Sequence, residues 1–322
     1  MKEVTFLQQN ASRWRHYEGI LNNVEFLTAP RLAELFSELS EDLSFSRSFY
    51  PDSNTTAYLN YLTYRVMREL GRPRRTTGQQ LRTFWGRKLP QLYWQARHAV
   101  LFSFIIFFAS AALGWISASY DDGFVRLILG DSYVNMTISN IEKNDPMAVY
   151  KQMHEVPMSF GITLNNIRVA LTTFALGIFF AFGTIWSLFN NGVMLGAFQQ
   201  FFAQHDLLRE SLLTVYIHGT PEISAIVLAG GAGLTLGLGL LAPGTYPRLS
   251  VFRRVAKRGL LMALGLIPLF IYAGLLEGFV TRHTEIHDAV RLAIILFSAL
   301  LLVFYFVVIP LRQNDKEPRH DQ

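Results

Sequence analysis

The sequence predicts an all-α fold: a polytopic transmembrane helix bundle of about six membrane segments, one of them short, with an N-terminal cytoplasmic helical domain and an interfacial helix. Three observations carry this. Of 322 residues, 51% are apolar and only 16% charged, which is too little charge to cover a soluble protein of this size. The apolar residues gather after His98, in runs that match the roughly 20 residues needed to cross a ~30 Å hydrocarbon layer. Before that point the chain is polar, with apolar residues at helical spacing. The composition changes most sharply at Arg97–His98.

Residues 1–76 read as a helical domain. Phe6, Leu7, Ala11, Trp14, Tyr17 and Leu21 form one stripe. A second helix has Pro30 in its first turn and carries Leu32, Leu35, Phe36, Leu39 and Leu43. A third follows Asp52-Ser53-Asn54, repeats Tyr58, Leu62, Val66 and Leu70, and stops at Gly71. Residues 77–97 then interleave Trp85 and Trp94 with Arg87, Lys88 and other bases, as an amphipathic helix lying along lipid headgroups does.

The transmembrane domain is expected over 98–310, with apolar spans near 98–118, 167–188, 221–241, 259–280 and 290–309 and a tail over 311–322. Lys and Arg set the orientation. Seven bases and no acid lie between Arg72 and Arg97, and five bases with no acid lie in 243–258, so both are assigned to the cytoplasm. The acid-rich stretch 120–166 is assigned outside. These assignments require one further crossing between Leu188 and Pro221. Residues 189–204 supply it, as a short helix made polar by Asn190, Asn191, Gln199 and Gln200, with Asn190-Asn191-Gly192 read as the turn before it. Both termini then lie in the cytoplasm. Met1-Lys2-Glu3-Val4 lacks a signal-peptide pattern, so the first span is expected to act as its own insertion signal.

There is no cysteine, which removes disulfides and thiolate metal sites. The net charge of +5 sits beside the spans, where anionic lipid meets it, so the bilayer rather than nucleic acid is the expected partner. No Walker lysine loop and no Gly-x-Ser-x-Gly elbow occurs.

Polar residues inside a bilayer each need a reason. Thr220 and Pro221 read as the N-cap and first turn of a helix, with Glu222 at its positive end and His218 closing a separate helix before it. Glu277 lies near the outer end of its span. His218, Glu222 and Glu277, with Asn191 as a weaker addition, are the candidate intramembrane polar site for a proton, a cation or a polar headgroup. One His and two Glu could supply the three protein ligands of a catalytic zinc, although the spacing is no zincin motif; no cofactor is called for. Gly230, Gly233 and Gly237 have the spacing that lets helices approach closely, within one bundle or in a homo-oligomer seam. Pro268 is expected to kink its span.

Several residues in order resemble one family: Phe84…Leu89-Pro90…Arg97, then Asn166-Ile167-Arg168-Val169-Ala170-Leu171 with Phe174, Gly177 and Gly183. Asn191-Gly192…Gly196, His218-Gly219-x-x-Glu222 and Glu277-Gly278-Phe279 follow. Over about 80–310 the chain resembles the stage II sporulation protein M family, also called domain of unknown function 95. The resemblance implies a multi-span inner-membrane protein of a bacterium or archaeon. The sporulation member belongs to an assembly with peptidoglycan-degrading enzymes, which it anchors or recruits. This chain departs from that type by its helical extension before residue 80. The expected role is therefore a non-enzymatic scaffold of a cell-envelope assembly, with protein partners in the envelope and the cytoplasm. The alternative is a permease or intramembrane enzyme working through His218, Glu222 and Glu277.

Overall fold

The computed structural model describes residues 2–22, 29–71, 77–151, 155–245, 247–283 and 285–314. Arg72, Arg74 and Arg75 of the basic juxtamembrane stretch, Tyr246 of the basic loop and residues 315–322 of the tail lie outside them. Among the described residues every regular element is helical. The chain divides into two compact units, Met1–Gln80 and Leu81–Gln322.

The first unit holds α1 (Glu3–Asn22), α2 (Ala29–Phe49) and α3 (Asn54–Leu70). Its core is built from most of the stripe residues, joined by Leu59, with Trp14, Leu35, Leu59 and Leu62 almost fully buried; Leu7 and Leu70, expected on the same stripes, are exposed. Ser53 caps α3 by accepting the Thr56 N–H at 3.2 Å. Polar groups at the core's edge are paired. Trp14 Nε1 donates to Asp42 at 2.7 Å, and Asp42 also takes Arg13 at 2.6 Å. The Tyr17 and Tyr58 hydroxyls donate to Glu38 and Glu18.

Burial, reinforced by those carboxylates, pushes both tyrosines up to about 12. A phenol raised above its unfolded value of about 10 contributes stability that is complete below pH ~10 and lost as pH climbs toward 12. Thermal melts of the full chain at pH 9 and 11 are expected to show a larger loss for the wild type than for Tyr17→Phe/Tyr58→Phe. Equal losses would sever the tyrosines from the alkaline limb.

In the second unit the chain runs α4 (Thr77–Thr83, which straddles the division), α5 (Leu89–Gln95), α6 (Arg97–Tyr120), α7 (Asp122–Leu129), α8 (Asp131–Glu142) and α9 (Glu155–Ala175). Then come α10 (Phe182–Gln204), α11 (Leu208–Leu241), α12 (Arg248–Gly265), α13 (Ile267–Leu276), α14 (Asp288–Val303) and α15 (Ile309–Asn314). Wide π turns at Phe84–Lys88, Glu277–Thr281 and Phe304–Val308 link α4 to α5, close α13, and link α14 to α15.

Among the described residues four helices are long and apolar enough to cross a membrane: Arg97–Tyr120, Leu208–Leu241, Arg248–Thr281 and Asp288–Gln313. Their outward faces are apolar, as with Phe102, Phe104 and Ile105 on α6 and Leu296, Phe297 and Leu300 on α14, all about half exposed or more. A water-facing surface cannot carry so continuous an apolar band, and a lipid-facing one requires it. This is a membrane protein.

α11 is the central helix and the most deeply buried of the four. Glycines let the other helices reach its backbone. A Cβ at Gly233 would lie 2.4 Å from Thr184 Oγ1, one at Gly237 2.2 Å from the Ala181 nitrogen, and one at Gly230 2.4 Å from Ser103 Oγ. Ser103 donates to Val227 O at 2.7 Å, and Thr184 to Thr173 O at 2.8 Å. Both bonds tie helices together where water cannot compete.

Three sequence expectations differ from the structure. The apolar run 167–188 is not one span. α9 ends at Ala175, and a turn through Leu176–Ala181 reverses the chain into α10. Phe180 and Ala181 take left-handed backbone angles there (φ 52° and 71°), so the reversal lacks the Gly or Asn that would announce it. Asn190-Asn191-Gly192 accordingly forms no turn and lies inside α10. The Asn190 and Asn191 amides donate one turn back, to Trp186 O and Ser187 O. The short crossing expected over 189–204 is the latter part of this 23-residue helix.

α11 is also continuous through Pro221. His218 closes no separate helix, and Thr220 is not an N-cap; its hydroxyl donates to Tyr216 O at 2.8 Å, as a mid-helix threonine does. The division at Gln80–Leu81 comes earlier than the composition change at Arg97–His98. Residues 81–96 pack on the bundle: Trp85 Nε1 donates to Gly265 O at 3.1 Å, the Tyr93 hydroxyl to Met262 O at 3.0 Å, and Leu89 fills the space that Gly265 leaves. Arg87 and Lys88 stay exposed, and Arg97 stacks on Trp94. Pro268, in the first turn of α13, marks the break at Leu266 where α12 gives way to α13.

Candidate functional site

His218 and Glu222 are one helical turn apart on α11, so both project from one side of it. Glu277 opens the wide turn that ends α13. The structure brings the three together: one ligating atom from each lies within 4.8 Å of the others. His218 Nε2 stands 3.8 Å from Glu277 Oε1. His218 and Glu277 are buried and Glu222 is half-buried.

The imidazole is held from its other side. His218 Nδ1 lies 3.0 Å from Thr281 Oγ1, and that hydroxyl gives its own proton to Leu276 O at 3.3 Å, five residues back across the wide turn. When the hydroxyl hydrogen points to Leu276 O, its oxygen is free to accept from a proton on Nδ1, and that tautomer leaves the lone pair on Nε2, which faces Glu277. Among the described residues neither the Glu222 nor the Glu277 carboxylate accepts a hydrogen bond.

His218 and Glu222 form part of the wall of a cavity of about 440 Å³. Asn165, Asn166 and Asn191 bring amides to the same space, and apolar side chains such as Phe107 and Phe198 complete it. Asn191 therefore shares the cavity with His218 and Glu222. Sequence reasoning missed Thr281 and Asn165. Thr281 had one legible signal, a hydroxyl four positions after a buried carboxylate, and Asn165 had none beyond its polarity.

A second buried charge lies on the same central helix. Arg291 of α14 is 4% exposed and donates to Glu210 Oε1 at 2.8 Å, with Thr214 Oγ1 at 3.5 Å and Asp288 at 3.9 Å. Asp288 also pairs with Arg209 at 2.6 Å. This network fastens the start of α11 to the start of α14. Of the loop before α14, His283, Glu285 and His287 are exposed, and His287 Nδ1 caps the helix by accepting the Ala289 N–H.

A membrane-embedded helix bundle in which His218 and Glu222 of the central helix meet Glu277 at the end of α13 is the class that fold and site define. The family model of Stage II sporulation protein M matches residues 103–282, more than half of the chain, so this protein belongs to that family. A second family model, Domain of unknown function (DUF8413), matches residues 4–72, the three helices of the first unit. No curated protein and no solved structure matches the chain.

Proposed function

We propose that this protein acts through its intramembrane polar site, where His218, Glu222 and Glu277 take a small cationic or polar ligand from the adjoining cavity. The observation that carries the reading is the convergence of three ionisable side chains from two separate spans within 4.8 Å, beside a space that admits a ligand. Burying two carboxylates near each other costs several kcal/mol, a cost that a purely mechanical bundle has no need to bear. The Lys and Arg pattern supports a chain in the inner membrane with both termini and the basic loop 243–258 in the cytoplasm. Complementation of a deletion strain tests the reading. Glu222→Gln/Glu277→Gln is expected to abolish complementation while the variant accumulates in the membrane at wild-type level. Full complementation by the variant would refute it.

A scaffold reading also has a specific support: a separately folded first unit, matched by its own family model, offers a surface for a soluble partner. On that reading the double variant still complements and deletion of residues 1–71 does not.

A further inference from the structure

We propose that His218 Nε2 and the carboxylates of Glu222 and Glu277 are the protein ligands of one divalent transition-metal ion, zinc by the character of its donors. The inference deepens the polar-site reading and rests on it for its location. Its first support is the placement of the imidazole. Thr281 Oγ1 meets Nδ1 at 3.0 Å, which leaves Nε2 turned toward an oxygen of Glu277 3.8 Å away. With the proton on Nδ1 and Glu277 ionised, both atoms offer a lone pair to a cation placed between them. The separation also exceeds a hydrogen bond and leaves room for an ion that draws both ligands in to about 2 Å.

The second support is the state of the carboxylates. Glu277 is 7% exposed and Glu222 half-buried, and among the described residues neither accepts a hydrogen bond. A buried carboxyl either keeps its proton or, when ionised, is compensated by a cation or a donor, and a bound cation supplies that compensation to both acids at once. The third is the shape of the surroundings. Three protein ligands leave a fourth position, and the cavity beside His218 and Glu222 gives that position access. One imidazole with two carboxylates suits zinc, whereas magnesium and calcium ask for six or more oxygens. The Nδ1–H to Thr281 bond is the outer-shell contact that a ligating histidine makes.

The full-length protein, purified in detergent, is stripped with a chelator, reloaded with zinc and desalted, and its metal content is measured. One zinc per chain is expected. Cobalt in its place is expected to give the intense visible bands of a four-coordinate site. Glu222→Gln/Glu277→Gln should lose the ion. Thr281→Val, which removes no ligand, should weaken binding by about 10- to 100-fold. His283→Ala/His287→Ala, in the exposed loop, should leave the stoichiometry unchanged. Size-exclusion profiles and melting temperatures establish that each variant is folded.

The proposal is overturned if the reloaded wild type holds no more zinc than the double glutamine variant, or if the loop histidines account for the metal. The two readings fail separately. Absence of zinc together with failed complementation by the double variant leaves the polar site standing with another ligand. Bound zinc together with full complementation makes the ion structural and removes the functional reading alone.

Discussion

Gly196→Val is expected to lower the stability of the bundle by about 3 kcal/mol, at the upper end of what a single overpacked position typically costs. A Cβ at Gly196 would lie 1.9 Å from Ala111 O and 2.7 Å from the Trp115 nitrogen. Both are backbone atoms of α6, so no side-chain rotation relieves the clash and the helices have to part. Parting them disturbs two neighbouring contacts of the same kind, Gly114 against Val193 O and Gly192 against Phe107 O. Lipid supplies no hydrophobic drive to pull the pair together again, because the tails are as apolar as the side chains; close van der Waals approach is what holds them. Gly161→Ala is the control. Nothing lies within 4 Å of its would-be Cβ, and as an exposed helical glycine it should gain up to about 1 kcal/mol. Unfolding midpoints in detergent read both, and a Gly196→Val midpoint equal to wild type would mean that α6 and α10 are not in backbone contact.

The second large effect is expected at Glu210. Its removal leaves Arg291, 4% exposed, without its 2.8 Å partner. Breaking a buried pair costs about 3–5 kcal/mol, because the surviving charge keeps its desolvation penalty. Glu210 is itself about a third exposed, and Asp288 stands 3.9 Å away to take up part of the charge, so about 2–3 kcal/mol is expected for Glu210→Ala. Adding Arg291→Met should recover part of that loss, since the buried charge and its desolvation penalty go with it. A double variant less stable than Glu210→Ala alone would show that Arg291 is held by something other than this pair.

Much of the architecture was legible because it rests on surface chemistry. The stripes through Trp14, Leu35 and Leu62 are what three helices need to cover one small core. The runs after Arg97 are what lipid tolerates. Gly233 and Gly237 were legible as places where backbones meet, and the partners they meet were not, since spacing along one helix says nothing about which neighbour arrives. The reversal at Phe180–Ala181 was hidden because its left-handed angles fall on residues with no preference for them, held by the contact of Ala181 with Gly237. Pro221 misled in the other direction. Proline in a soluble helix usually marks an end, but within a packed bundle neighbouring groups compensate for the missing donor and α11 continues.

At the polar site, His218, Glu222 and Glu277 were legible by cost alone: an ionisable group in hydrocarbon asks for a reason. Thr281 offered only its spacing from Glu277, and the wide turn that brings it beneath His218 has no sequence signature.

That wide turn has an evolutionary consequence. A π turn holds one residue more than the α turn it replaces, and each added residue rotates everything beyond it by about 100° about the helix axis. The upstream half of the helix, with its lipid-facing and core-facing sides, is untouched by such an addition. Gain or loss of a single codon there can therefore bring a hydroxyl beneath His218 or take it away in one step, while Glu277, at the upstream edge of the turn, keeps its place. Chains with the Thr281 contact and chains without it would then stand a single insertion apart.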